Sequence, residues 1–259
     1  MLSVVGRGSV VVFVSHFTLP EELSLLAHDP VEGRIVCRPY ALRLGIAGAV
    51  AAEPVLAGRV VVADGKITAS GGPPLGDSFL DAALAGVAGR RKGHKLQRWL
   101  RDTAGVKTGA GRTDEVWRHR LVARGALREE RARALGVIAQ RRHRAGPDDR
   151  TSAARARVSA VGHGAVGDER ARLLAALVGA TGPARNVLPG DELFRPRSEV
   201  TASAGRDPIA RTVRDLIRER AGGTPGRARG GEPLPEGPGW NPLRWIFDGD
   251  GGDGGGGGD

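Results

Sequence analysis

Arginine is the residue type in this chain with the most scope for chemistry. Lys and Arg number 39 against 29 Asp and Glu, the formal net charge is +10, and only four of the basic residues are Lys. A guanidinium presents a planar fork of donors that matches carboxylate and phosphate oxygens two at a time. The cations are also grouped, at Arg90-Arg91-Lys92-Gly93-His94-Lys95, from Arg118 to Arg133, and at Arg141-Arg142-His143-Arg144. A surface carrying such groups attracts anionic lipid or nucleic acid in a salt-dependent way, and charge alone does not choose between them. The Arg-for-Lys bias, with abundant Ala, Gly and Pro, also fits the codon supply of a GC-rich genome, so part of the charge is compositional.

Other residue types point away from catalysis. Six His are scattered with neither an H-E-x-x-H pattern nor a Cys pair, so no metal site is expected. The single cysteine, Cys37, excludes an intrachain disulfide, suits a reducing cytoplasm, and reads as a small packed side chain rather than a reactive thiol. Gly162-His163-Gly164-Ala165-Val166-Gly167 spells G-x-G-x-x-G, but the preceding Ala153–Val161 stretch reads as helix, so a plain interhelical loop is expected. Asp148 and Asp149 follow Gly146-Pro147 and read as helix-capping acids. No catalytic residues and no cofactors are therefore assigned.

The elements that must carry these groups read as mostly helical. Thr18-Leu19-Pro20-Glu21 is a helix start, with a hydroxyl cap, Pro in the first turn and an acid behind it; Leu19, Leu23 and Leu26 then recur at helical spacing. Leu42 to Ala52 forms a helix whose Gly45, Gly48 and many Ala leave little bulk, which suits the centre of a helical domain. Val60–Val62 and Ile67, joined through Asp64-Gly65, read as a hairpin. Asp77 caps a helix bearing Phe79, Leu80 and Leu84. Trp99 and Leu100 come next, then an Arg-rich helix from Asp114 that stops at Gly125, and a short strand over Leu135–Ala139. Asp168–Val178 and Ile209–Ile217 read as helices, with Asn186–Gly190 as the turn between them. The fold class expected is mainly α, a single helical domain packed around the small-residue helix, with one or two short β-hairpins. Aromatic residues make up 4% of the chain, so Ala, Val and Leu must build its core.

Three segments are expected: an extension over 1–16, a domain over 17–221, and a disordered Gly/Pro-rich tail over 222–259. Val10–Val14 is too short for a signal-peptide core, and residues 1–16 read as a frayed extension or edge strand, or as the product of a start codon set too far upstream. No segment reaches the roughly 20 apolar residues that span a bilayer. The tail is too poor in apolar residues to offset chain entropy, apart from Trp240-Asn-Pro-Leu-Arg-Trp-Ile-Phe247. That segment either docks on a groove or membrane interface or folds back on the domain.

Three phrases in order, FTLPEELSLLAHD, LRLGIAGAVAAEPVLAGRVVVADGKIT and PPLGDSFLDAAL, resemble the Golgi phosphoprotein 3 family between Phe17 and Leu84. The resemblance extends through Trp99-Leu100 and the Asp114–Leu127 stretch, and the composition points to a bacterial, actinobacterial-type member. Eukaryotic members are peripheral membrane proteins that recognise phosphatidylinositol 4-phosphate. The resemblance implies a cytoplasmic protein peripherally associated with the membrane, with anionic phospholipid surface and possible protein partners. In lipid-binding relatives a Trp, an Arg inside the Gly-x-x-Gly and two later Arg hold the headgroup. The corresponding positions here are Arg38, Ala47, Gly111 and Asp114, so none of the four is retained. Arg38, Arg43 and Arg112 are the nearest cations and are the candidate headgroup residues. Pro54 is a further departure and is expected to end or kink the small-residue helix, and the hairpin after it is shorter than the eukaryotic arm. A basic nucleic-acid-associated protein, in which Asp114–Arg144 passes for part of a winged helix, and a ligand-free scaffold are the alternatives.

Overall fold

The computed structural model describes residues 17–90, 93–108, 111–134, 138–165, 168–190 and 193–222. The extension over 1–16 and the tail beyond Gly222, including Trp240–Phe247, lie outside them. Helix α1 (Leu19–Leu26) starts as its residues dictate: Pro20 occupies the first turn, and the Glu21 carboxylate returns to accept the Thr18 backbone N–H at 2.7 Å. All eight of its residues are buried.

Helix α2 (Pro39–Leu56) is the hub. It touches α1 and five later helices: α3 (Ser78–Ala88), α4 (Leu96–Gly105), α5 (Thr113–Ala123), α7 (Glu169–Thr181) and α10 (Pro208–Gly222). Its small residues permit this closeness. A methyl group at Gly48 would meet Leu177 Cδ2 at 2.8 Å and Val213 Cγ2 at 2.9 Å. The expectation for Pro54 is corrected in part, because the helix does not end there but runs on to Leu56. A proline so near the C-terminus forfeits a single hydrogen bond, and its buried ring contributes packing.

Strands β1 (Val60–Ala63) and β2 (Lys66–Ala69) form the expected hairpin, extended by β3 (His94–Lys95). Its turn places both Asp64 (φ 51°) and Gly65 (φ 68°) in the left-handed region, as a two-residue turn of this hand requires. Asp77 caps α3 by accepting the Phe79 and Leu80 N–H groups at 3.0 and 3.1 Å. Trp99 and Trp117 add bulk to a core otherwise built largely from Ala, Val and Leu, and Phe79 meets Trp117 edge to face at 5.1 Å.

The short pair β4 (Lys107–Thr108) and β5 (Gly111–Arg112) leads into α5, which stops where Gly125 turns left-handed at φ 71°. Two elements beyond it differ from expectation. In place of one short strand, β6 (Leu127–Ala134) and β7 (Ile138–Ala145) form an antiparallel hairpin with eight paired positions. Of the expected Leu135–Ala139 strand, residues 135–137 lie outside the described residues. After α6 (Thr151–Gly162) and α7, the short α8 (Ala184–Val187) takes in the first two residues of the expected Asn186–Gly190 turn, and a full helix α9 (Phe194–Arg206), for which no element was expected, packs on α7. Both were hidden for the same reason. Arg- and Glu-rich strands carry no strand signature, and α9 buries little more than Pro196, Val200 and Ala204.

Candidate functional site

The loop joining α1 to α2 and the β6–β7 hairpin are sewn together. Asp29 Oδ1 accepts the Val31 and Glu32 N–H groups at 2.9 and 2.7 Å, which folds the loop tightly. Gly33 then turns left-handed (φ 67°), and its carbonyl accepts the His143 N–H at 2.8 Å. Only glycine fits there, since a Cβ would lie 3.0 Å from both the His143 backbone and the Arg144 side chain.

Between this seam and the start of α5 lies a cleft of about 620 Å³. Arg34, Arg118 and Arg141 bring cations to it, and Glu115 and Glu129 bring carboxylates. Arg118 stands 3.9 Å from Glu115 and Arg141 stands 3.6 Å from Glu129, while Arg34 is 2.6 Å from Glu32. Burial and the nearby Arg118 push His143 down to about 4, so its ring is neutral at physiological pH. Its edge-to-face neighbour His28 is also pushed to about 4, chiefly by burial, with Nδ1 2.6 Å from the Ser24 carbonyl oxygen. The His143 ring thus lines the cleft without charging it. Ligand oxygens entering it would meet guanidinium groups able to exchange a carboxylate for the newcomer.

The three cations named from the sequence are spread around this region. Arg38 is the exposed N-cap of α2 and lines a neighbouring groove. Arg112 is the exposed N-cap of α5, its backbone N–H held by Glu115 at 2.6 Å. Arg43 is mostly buried and faces Asp114 at 4.0 Å, so an internal carboxylate neighbours its charge. Ala47 is fully buried in α2, whereas Gly111 lines the cleft. Cys37 is half-buried, and burial with Asp114 nearby pushes its thiol up to about 12, which suits a packing role.

Much of the second basic group serves the fold. Arg120 pairs with Asp77 and lies 4.5 Å over Trp117; Arg124 grips Glu21 at 2.8 Å and lies 4.0 Å over Phe17. Arg157 and Arg170 converge on Glu22, and Arg170 also binds Glu53 at 3.0 Å. Burial nevertheless outweighs these arginines and raises Glu22 to about 7. Gly162 closes α6 against the Pro196 backbone, so the G-x-G-x-x-G spelling follows a helix rather than a strand; Val166 and Gly167 lie outside the described residues. Asp149 accepts the Thr151 N–H at 2.9 Å at the start of α6. Among the described residues no group of His, Cys, Asp or Glu could hold a metal ion. Arg34 was missed by sequence reasoning because it stands alone; its only signal was the adjacent Gly33.

Residues 19–220, from the first residue of α1 into the last turn of α10, match the Golgi phosphoprotein 3 (GPP34) family. The chain belongs to the Golgi phosphoprotein 3 family. No curated protein gives a significant match. Within this Golgi phosphoprotein 3 domain, none of the described helices is long and apolar enough to cross a membrane.

Proposed function

We propose that this Golgi phosphoprotein 3 family member associates reversibly with anionic membrane surfaces through the face formed by the α1–α2 loop, the start of α5 and the β6–β7 hairpin. One observation carries the reading. The hairpin, with six Arg against two Glu in its strands, is fixed to the loop so that Arg34, Arg118 and Arg141 open onto one cleft. Arg38 and Arg112 flank it as further headgroup contacts, and Arg43 joins them when an anion competes with Asp114. Phosphatidylinositol 4-phosphate is one ligand, by family, but binding is governed by charge more than by headgroup stereochemistry, because the four family positions are Arg38, Ala47, Gly111 and Asp114. Protein partners on the same membrane, and a peripheral location, accompany this reading, with no catalytic step.

The test is vesicle flotation across a salt titration with neutral, generally anionic and phosphoinositide vesicles. The expected result is capture by both anionic types at matched charge, falling steeply as salt rises. Tight 4-phosphate-specific capture at physiological salt would refute the charge-governed reading, and no capture at all would favour the scaffold.

A nucleic-acid reading has one observation in its favour: α5 followed by the basic β6–β7 hairpin has the order of a helix and wing. Against it, Arg120 and Arg124 of that segment are engaged with Asp77 and Glu21, and Val116, Trp117 and Leu121 are buried. Little of α5 is left to enter a groove. A strong, sequence-dependent DNA shift would select this reading instead.

A further inference from the structure

A second groove, of about 620 Å³, runs between the start of α2, the C-terminal end of α7 and α10. A smaller hollow of about 180 Å³ continues it along the last turns of α10, sharing Arg38, Ala41 and Ile217. The floor is apolar, with Ile35, Val36, Ala180 and Ile217. The rim is cationic: Arg38, Arg214, Arg218 and Arg220 line it, and no Asp or Glu does. Among the described residues, Arg38, Arg218 and Arg220 have no carboxylate within ion-pair distance. Arg214 has only the adjacent Asp215 at 3.6 Å, and its buried Nε has no hydrogen-bond partner. Arg220 lies 4.4 Å over the Tyr40 ring, which leaves Arg38, Arg214 and Arg218 as the cations facing the groove. Apolar surface edged by such guanidinium groups is complementary to a peptide that carries aromatic side chains followed by acids.

The chain itself contains such a peptide. Residues 223–259 continue from α10, the helix that forms one wall of the groove. Trp240, Leu243, Trp245, Ile246 and Phe247 are followed by Asp248, Asp250, Asp253 and Asp259, with no Lys or Arg after Arg244. The 17 residues between Gly222 and Trp240 can span at most roughly 3.3–3.6 Å each, a contour long enough for return to a site that begins on α10's final turns. Such a tether also raises the effective concentration of the segment at the groove to the millimolar range.

We propose that the acidic-aromatic segment Trp240–Asp253 of this chain docks in the groove between α2, α7 and α10, its aromatic side chains on the apolar floor and its aspartates on Arg38, Arg214 and Arg218. This goes beyond the membrane reading and does not rest on it. Docking withholds Arg38 from external anions while the segment is seated.

The sole cysteine supplies the test, because Cys37 lines this groove. In the full-length chain, Asn241→Cys places a second thiol beside Trp240, and Gly255→Cys is a tether-only control. Under mild oxidation we expect the Asn241→Cys variant to form an intrachain Cys37 disulfide at least tenfold faster than the control, at a rate independent of protein concentration. The advantage should vanish in 1 M salt and on adding Arg214→Gln with Arg218→Gln. The raised Cys37 thiol pKa slows both variants alike and leaves the ratio intact. Equal rates in the two variants would overturn the proposal. A concentration-dependent interchain bond would overturn it too, by assigning the groove to another copy's tail.

Discussion

Replacing Arg34, Arg118 and Arg141 together by Gln removes three cations that open onto one cleft. An isolated cation near an anionic bilayer contributes about 1 kcal/mol, so three would give about 3 kcal/mol. Each has a carboxylate within 4 Å, Glu32 at 2.6 Å, Glu115 at 3.9 Å and Glu129 at 3.6 Å, and its effective charge toward a membrane is correspondingly reduced. A discounted loss of about 2 kcal/mol corresponds to a roughly thirtyfold fall in partition coefficient. The comparison is a charge-matched triple, Arg98, Arg185 and Arg206 to Gln, all exposed and none lining the cleft. Flotation at fixed salt on vesicles of constant anionic content measures both, with a thermal melt of each variant to establish that the half-buried Arg118 site tolerates the change. The control triple should lose less than about fivefold, since its charges act only through screened long-range attraction. Equal losses in the two triples would refute a localised site and leave net charge as the whole cause.

Gly179→Ala tests the α7–α9 contact: a Cβ there would strike the Val200 carbonyl oxygen and lie 3.1 Å from Thr201 Cα. The usual helix gain of about 1 kcal/mol is outweighed by overpacking, giving a net loss of about 2 kcal/mol and a melting temperature about 4–8 °C lower, whereas an unchanged melt would show that α9 yields freely. Asp77→Ala removes the α3 cap and the partner of Arg120, and denaturant titration should report a loss of about 2–3 kcal/mol, while less than about 0.5 kcal/mol would mean that water replaces both. Stability should also depend on pH from two sides. His28 and His143, near 4 in the fold against an ordinary 6.5, stay neutral, so the stability they support is complete above about 6.5 and is lost as pH falls toward 4, by at most about 3 kcal/mol each. Glu22, raised to about 7 from 4.5, has the opposite sign: its contribution is complete below 4.5 and is lost as pH rises through 7. Two histidines outweigh one carboxylate where the windows overlap, so denaturation should show stability rising from pH 4 to about 7 and levelling off above it, with Glu22→Gln steepening the rise between 4.5 and 7; a fall across that window, or no steepening, would contradict the assignment.

Local features of the fold were legible in the residues that make them. The Thr18–Glu21 start, the Asp64-Gly65 turn, the Asp77 cap and the Gly125 stop each depend on a side chain or a backbone freedom within a few residues, and the structure contains each of them. Mainly helical architecture followed from the same signals. The small-residue helix was legible as a hub because Gly45 and Gly48 admit neighbours that a larger side chain would exclude, although which helices approach was decided only in three dimensions. Tertiary contact also made β6 and β7: their Arg and Glu residues have little strand preference of their own, and pairing over eight positions, with Gly33 stitched to His143, holds them. Helix α9 likewise exists because Pro196, Val200 and Ala204 have α6 and α7 to lie against.

Charge divided in the same way. The excess of arginine and its grouping are written in the residues themselves, and such groups attract anions of any kind. Only the folded structure decided which guanidinium groups are spent internally, as Arg120, Arg124, Arg157 and Arg170 are on Asp77, Glu21, Glu22 and Glu53, and which open outward with Arg34 and Arg141. The reason is that an ion pair depends on a few ångströms of separation between residues far apart in the chain, a quantity that no local pattern encodes.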